Sequence, residues 1–181
     1  MKKLLSMILV LVFALCAFAT AETYTVDSSE TYDVTLTAPE GYIFTKSEYL
    51  GDDCLAGLFE PADENVTVYY TLIVAYSDEY AALYGEDKTL NDLTEEEFAA
   101  AVQDLCADFY APTTSVVTTS FGTKCIVVNE DGCESEFATI LTVYHGYFIQ
   151  IYIDSLDGVV IDDVIIQTAV DILSSMEIVN K

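Results

Sequence analysis

Arginine and tryptophan are absent from this sequence, histidine occurs once, and 6 Lys+Arg stand against 31 Asp+Glu, a formal net charge of -25. So few cations cannot neutralise a phosphate backbone, which excludes nucleic-acid binding and disfavours anionic membranes and glycans. The acidity favours solubility, cationic partners and divalent cations. A solvated acidic surface without any specific ligand would carry the same composition. Zinc sites built from paired cysteines or several histidines are also excluded, because no Cys-x-x-Cys occurs and His145 is alone. Neither an HExxH motif nor a glycine-rich phosphate loop is present. With 3 prolines and 8 glycines, no linker or internal repeat divides the chain, which predicts a leader followed by one acidic globular domain over residues 22–181.

Charge is missing locally as well, over residues 4–18. Lys2 and Lys3 precede this apolar run and Ala19, Thr20 and Ala21 follow it, the pattern of a secretory signal peptide over residues 1–21, cleaved before Glu22. The run is shorter than the ~20 residues of a membrane span, which favours cleavage over an uncleaved anchor. Leu15 before Cys16 makes a poor lipobox. The expected destination is outside the cell, secreted or held at the cell surface, as a monomer with no membrane contact once the leader is gone. Cys54, Cys106, Cys125 and Cys133 remain after cleavage, so two disulfides in any of three connectivities are open, as are free buried thiols.

What is present reads mainly as strand. Alternation predicts a hairpin from 23–26 and 31–38, then strands in 43–50, 54–60 and 66–77, the last apolar on both faces and therefore central. Two more follow over 114–121 and 124–129. The strongest unit spans 136–176: strands 137–144 and 147–154 joined by His145 and Gly146, then a helix. Ala138, Ile140, Thr142 and Tyr144 share one face with Tyr147, Ile149, Ile151 and Ile153, and that face is expected to be wholly buried. Helical spacing predicts a short helix over 78–84 ended by Gly85 and longer ones over 95–109 and 160–176. Thr94 and Glu97 form a capping box for the second of these, with Leu93 and Phe98 as a hydrophobic staple. Asn65-Val66-Thr67 matches a glycosylation acceptor, relevant only in a eukaryotic host.

These elements, in order, resemble the PsbP-like family, which includes exported bacterial proteins such as the DcrB and LpqN groups. The resemblance rests on the segment Thr35-Leu36-Thr37-Ala38-Pro39-Glu40-Gly41-Tyr42-Ile43-Phe44, on Phe121-Gly122-x-Lys124, on the 137–154 hairpin and on the ending Ile172-Leu173-Ser174-Ser175-Met176. It implies an α+β fold, a largely antiparallel sheet with helices 95–109 and 160–176 packed on it as an α/β/α sandwich. It also implies a non-enzymatic exported or accessory protein. Family members share no catalytic residues, so no site is carried over; the N-terminal hairpin and the acidity depart from the pattern.

Chemistry is sparse. His145 would have to serve any Ser/His or Cys/His mechanism, yet a hairpin tip holds a base poorly. Paired carboxylates of a secreted hydrolase remain an alternative function, since 31 acids always supply pairs. Asp154, Asp157, Asp162 and Asp163 cluster between the last strand and last helix and are the candidate calcium ligands, as hard oxygens in a loop suit that ion. Helix capping explains the same residues without a metal. Tyr24, Tyr32, Tyr42, Tyr49, Tyr69 and Tyr70 are candidates for an aromatic face that would recognise a protein, peptide or glycan partner. The expectation is an exported binding module with no catalytic residues and no organic cofactor.

Overall fold

The computed structural model describes residues 21–27, 32–47, 54–120, 122–130 and 137–181. The leader residues 1–20, Tyr49, Phe121, the turn around Gly132 and Cys133 lie outside them. The described chain is α+β and its strands pair antiparallel throughout. Strand β1 (Thr23–Asp27) pairs with β2 (Tyr32–Thr37), whose alternate residues Tyr32, Val34 and Leu36 are fully buried. The main sheet holds β3 (Tyr42–Lys46), β4 (Cys54–Pro61), β5 (Val68–Tyr76), β6 (Thr113–Thr118), β7 (Lys124–Asn129), β8 (Phe137–Tyr144) and β9 (Tyr147–Ser155). Its strand order is β3-β4-β5-β9-β8-β7-β6. The 137–154 hairpin therefore sits inside the sheet, and β5 lies beside it as an interior strand.

The hairpin register is the one its alternation requires, Tyr144 opposite Tyr147 and Ala138 opposite Ile153. The predicted inner face is buried except at its end, where Tyr144 is 37% exposed. His145 takes φ 52° and Gly146 φ 80°, the left-handed pair that a two-residue hairpin turn demands.

Three α-helices complete the described elements: α1 (Asp78–Tyr84), α2 (Glu95–Leu105) and α3 (Asp163–Ser174). The box that opens α2 is complete, with Glu97 N donating to Thr94 Oγ1 at 3.3 Å and Thr94 N to a Glu97 carboxylate oxygen at 2.8 Å. Both long helices are shorter than their periodicity suggests. Cys106 caps α2, and residues 107–109 continue as turns while Phe109 still packs on the core. Asp162 caps α3, accepting from Val164 N and Ile165 N at 3.0 Å each, so the apolar residues Val159 and Val160 stay outside the helix and exposed. No helix among the described residues is long and apolar enough to cross a membrane.

The helices take opposite faces of the main sheet, giving three layers. Helix α3 and the β1–β2 hairpin cover one face, around Leu55, Phe59, Leu72, Ile140 and Ile151. Helices α1 and α2 cover part of the other, around Ile126, Leu141 and Val143. One strand had no sequence signal: β10 (Glu177–Asn180) runs antiparallel to β2 and makes the hairpin a three-stranded sheet of order β1-β2-β10. Lys181 Nζ lies 3.1 Å from Asp33 Oδ1 across that pairing. Cys54, Cys106 and Cys125 are free thiols, which corrects any disulfide among them. Cys106 and Cys125 belong to the two cores on opposite faces of the sheet, so the sheet itself separates them.

Candidate functional site

A row of tyrosines marks the end of the sheet where the β8–β9 hairpin turns. Tyr76 of β5 is opposite Tyr147 of β9, and Tyr147 is opposite Tyr144 of β8. Three adjacent strands thus present a phenol side by side on one face. The ring centroids of Tyr76 and Tyr147 are 5.4 Å apart and nearly perpendicular. Tyr147 is buried, and its hydroxyl donates to Asn180 Oδ1 of β10 at 2.8 Å. Burial first, and then the neighbouring Tyr76, raise the Tyr147 phenol above its ordinary pKa.

These rings wall a cleft of about 690 Å³, lined by Tyr76, Tyr144, His145, Tyr147, Ile178 and Asn180 together with the acids Asp78, Glu86 and Asp87. Backbone bonds fix the rim. Ser77 N donates to Gly146 O at 3.3 Å, and His145 N donates to Lys88 O at 2.9 Å, stapling the segment that carries Glu86 and Asp87 to the hairpin tip. Thr89 and Tyr144 add an isolated antiparallel bridge. Gly146 sits so close to α1 that a Cβ there would meet Ala81 Cβ and a Tyr76 ring carbon at 3.1 Å each. The tip is therefore wedged, and its position sets the width of the cleft.

The electrostatics are one-sided. Asp78, Glu86 and Asp87 are exposed, and among the described residues no lysine lines the cleft. Lys181 pairs with Asp33, and Lys124 lies over the Phe98 ring at 5.0 Å. Among the described residues no Ser, Thr or Cys lines the cleft, so none of them offers His145 an alcohol or thiol to activate there. None of the three acids lies in an apolar wall.

The aspartates singled out as calcium ligands lie in and after β9, beyond the strand end opposite to the hairpin tip. Asp154 is half-buried on β9, its Oδ1 enclosed without a hydrogen-bond partner. Asp157 occupies a turn at φ 60°, Asp162 is engaged in capping α3, and Asp163 is exposed in the first turn. Among the described residues no three His, Cys, Asp or Glu side chains gather as metal ligands. The tyrosines of the N-terminal half do not form one face: Tyr32 and Tyr70 are buried, while Tyr24 and Tyr42 pack against the core. Tyr69 points to the opposite face of β5 from Tyr70, by strand alternation.

A second groove, about 590 Å³, runs between α1 and α2 past Leu83, Tyr84, Leu93 and Ala101. Tyr84 donates its hydroxyl to Asp104 Oδ2 at 3.2 Å; burial first, and then Asp104, push its pKa up to about 12. The groove is shallow and its one phenol is already paired.

No family model matches this chain, and no curated protein matches it. Among solved structures, it is similar to the solution structure of cyanobacterial PsbP (CyanoP) from Synechocystis sp. PCC 6803, with 16% sequence identity and a TM-score of 0.42, covering 90% of this chain and 96% of that one.

Proposed function

We propose that this protein is an exported binding module that holds its ligand in the tyrosine-walled cleft and releases it unchanged. The cleft carries this reading. It is concave, aromatic on one side and acidic on the rim, and its described lining offers no Ser, Thr or Cys nucleophile and no shielded carboxyl. The leader pattern at residues 1–21 and the acidity support an extracellular site of action, secreted or at the cell surface. Placement among exported PsbP-like proteins such as the DcrB and LpqN groups belongs to the same proposal and rests on the sequence segments named above. No observation favours the hydrolase alternative.

The test is ligand retention. Protein exposed to spent medium of the source organism, washed and examined by native mass spectrometry, is compared with an E86K/D87K variant, whose substituted positions are exposed on the rim. A small molecule or peptide retained by the wild type, lost in the variant and recovered chemically intact is the expected result. Equal retention by both proteins, or recovery of a cleaved product, would overturn the proposal.

A further inference from the structure

We infer that the cleft is built for an alkylammonium cation, a compact positively charged nitrogen such as a quaternary ammonium head or a lysine side chain. This rests on the binding-module reading and names the class of its ligand. Three observations converge on it.

The first is the spacing of the tyrosine row. Tyr76 and Tyr144 flank Tyr147 on neighbouring strands. Two antiparallel inter-strand steps put their backbones about 10 Å apart. The outer two rings are each 37% exposed, while Tyr147 is 6% exposed and forms the back wall. A row of three phenol rings across that width offers an aromatic wall to a trimethylammonium-sized group. The π faces of tyrosine attract such a cation, and quaternary ammonium ligands are commonly recognised by aromatic cages.

The second is the state of the rim carboxylates. Asp78, Glu86 and Asp87 are exposed and line the same cleft. Among the described residues no lysine lines it to neutralise them. Their charge is available to a ligand, and a neutral or anionic molecule would gain nothing from it or be repelled.

The third is what the lining cannot do. Calcium requires six to eight oxygen ligands in one shell. The described residues bring no three acidic, cysteine or histidine groups together for a metal. A bare divalent ion would also make no use of three phenyl rings. An organic cation uses both halves of the wall, the rings against its alkyl surface and the carboxylates against its charge.

The staple between residues 85–88 and the hairpin tip makes this arrangement pre-formed. His145 N bonded to Lys88 O ties the segment of Glu86 and Asp87 to the tip, and Ser77 N bonded to Gly146 O ties down the start of the helix that carries Asp78. Little ordering cost is then left for binding, which suits a small ligand with few contacts.

The experiment titrates the protein with choline, N-acetyl-lysinamide and the neutral choline isostere 3,3-dimethyl-1-butanol. Binding is followed by backbone amide shifts of Tyr144 and Gly146 and by tyrosine fluorescence, which is unobscured because the chain has no tryptophan. One or both ammonium probes should bind, the neutral isostere should not, and added salt should weaken binding. Choline alone binding identifies a free quaternary ammonium ligand, and the lysine probe alone binding identifies a side chain of a peptide. The isosteric variant D78N/E86Q/D87N should keep the melting temperature and lose about tenfold in affinity. Y144A should lose about fivefold. Equal binding of choline and its neutral isostere, wild-type affinity in the amide variant, or no response to either ammonium probe would each overturn the inference. A neutral or anionic ligand retained from medium would overturn this ligand class while leaving the binding module standing. Ammonium binding without cleft-dependent retention would do the reverse.

Discussion

Replacing Gly146 by alanine tests whether the hairpin tip is wedged against α1, because two separable costs meet at this residue. The first is conformational: at φ 80° an alanine sits in the left-handed region, which disfavours an L-residue by about 1–2 kcal/mol. Part of that is offset, since alanine lowers the entropy of the unfolded chain by about 0.4–1 kcal/mol. The second is steric: the added Cβ would lie 3.1 Å from Ala81 Cβ and from the Tyr76 ring, and Ala81 Cα is 3.6 Å away. Overpacking of this kind costs about 1–3 kcal/mol when a helix must shift to relieve it. The sum is about 1–5 kcal/mol. Gly158 is the control, because it has φ 71° and nothing within 4 Å of its would-be Cβ. G158A should therefore cost only the net conformational part, about 0–1.6 kcal/mol. For a domain of this size each kcal/mol moves the melting temperature by about 2–4 °C. Thermal unfolding followed by circular dichroism should show G146A below G158A by the steric part, about 2–12 °C. Equal shifts would refute the wedge, and with it the argument that the cleft is held open by the tip.

Other consequences are as direct. Hydrogen bonds from the Thr94 backbone and then its hydroxyl hold the Glu97 carboxyl below its ordinary pKa, so its stabilisation is present above the unfolded value and lost as pH falls through the folded one. E97Q should accordingly lower the melting temperature near neutrality, and the gap to wild type should close below about pH 4, the ordinary glutamate range; a gap that persists in acid would refute the capping assignment. Burial raises the Cys125 thiol to about 11, so in the native protein a thiol reagent near neutral pH should label half-buried Cys54 well before Cys125, and mass mapping of the labelled peptides checks the order. Matched millimolar calcium and magnesium should raise the melting temperature equally, because Asp162 is engaged in capping and the described acids do not gather around a metal; a larger shift with calcium would restore the 154–163 site.

Local rules carried the sequence reading where local contacts decide structure. The His145-Gly146 turn, the Thr94/Glu97 box and the Gly85 stop each depend on residues within five positions, and all are present. Periodicity overran where it had no view of termination. Val159 and Val160 continue the apolar spacing of α3, but Asp162 accepts the first amides of the helix and starts it at Asp163. The two sides of the sheet were legible from alternation, whereas β10 was not, since four residues carry too little pattern without sight of β2. The cleft was hidden for the same reason. Its walls come from the ends of β5, β8, β9 and β10 and from the segment after α1, and only the sheet order brings Tyr76 beside Tyr147. A row of tyrosines at three strand ends was the available signal, but it becomes a row only once the pairing is known.

The pairing of β10 with β2 also constrains the order in which the chain can finish folding. Glu177 meets Thr35, so the strand that completes the small sheet joins a partner well over a hundred residues earlier. Closing a loop of that size is entropically slow and is rewarded only when both ends are available. Until then β2 has one open edge, and the Asn180 side of the tyrosine cleft does not exist. A chain synthesised from its N-terminus thus exposes an unfinished sheet until residues 177–180 arrive, and the net acidity that opposes self-association is useful over that interval. The tyrosine cleft is thus among the last features the fold completes, closed when Glu177–Asn180 docks.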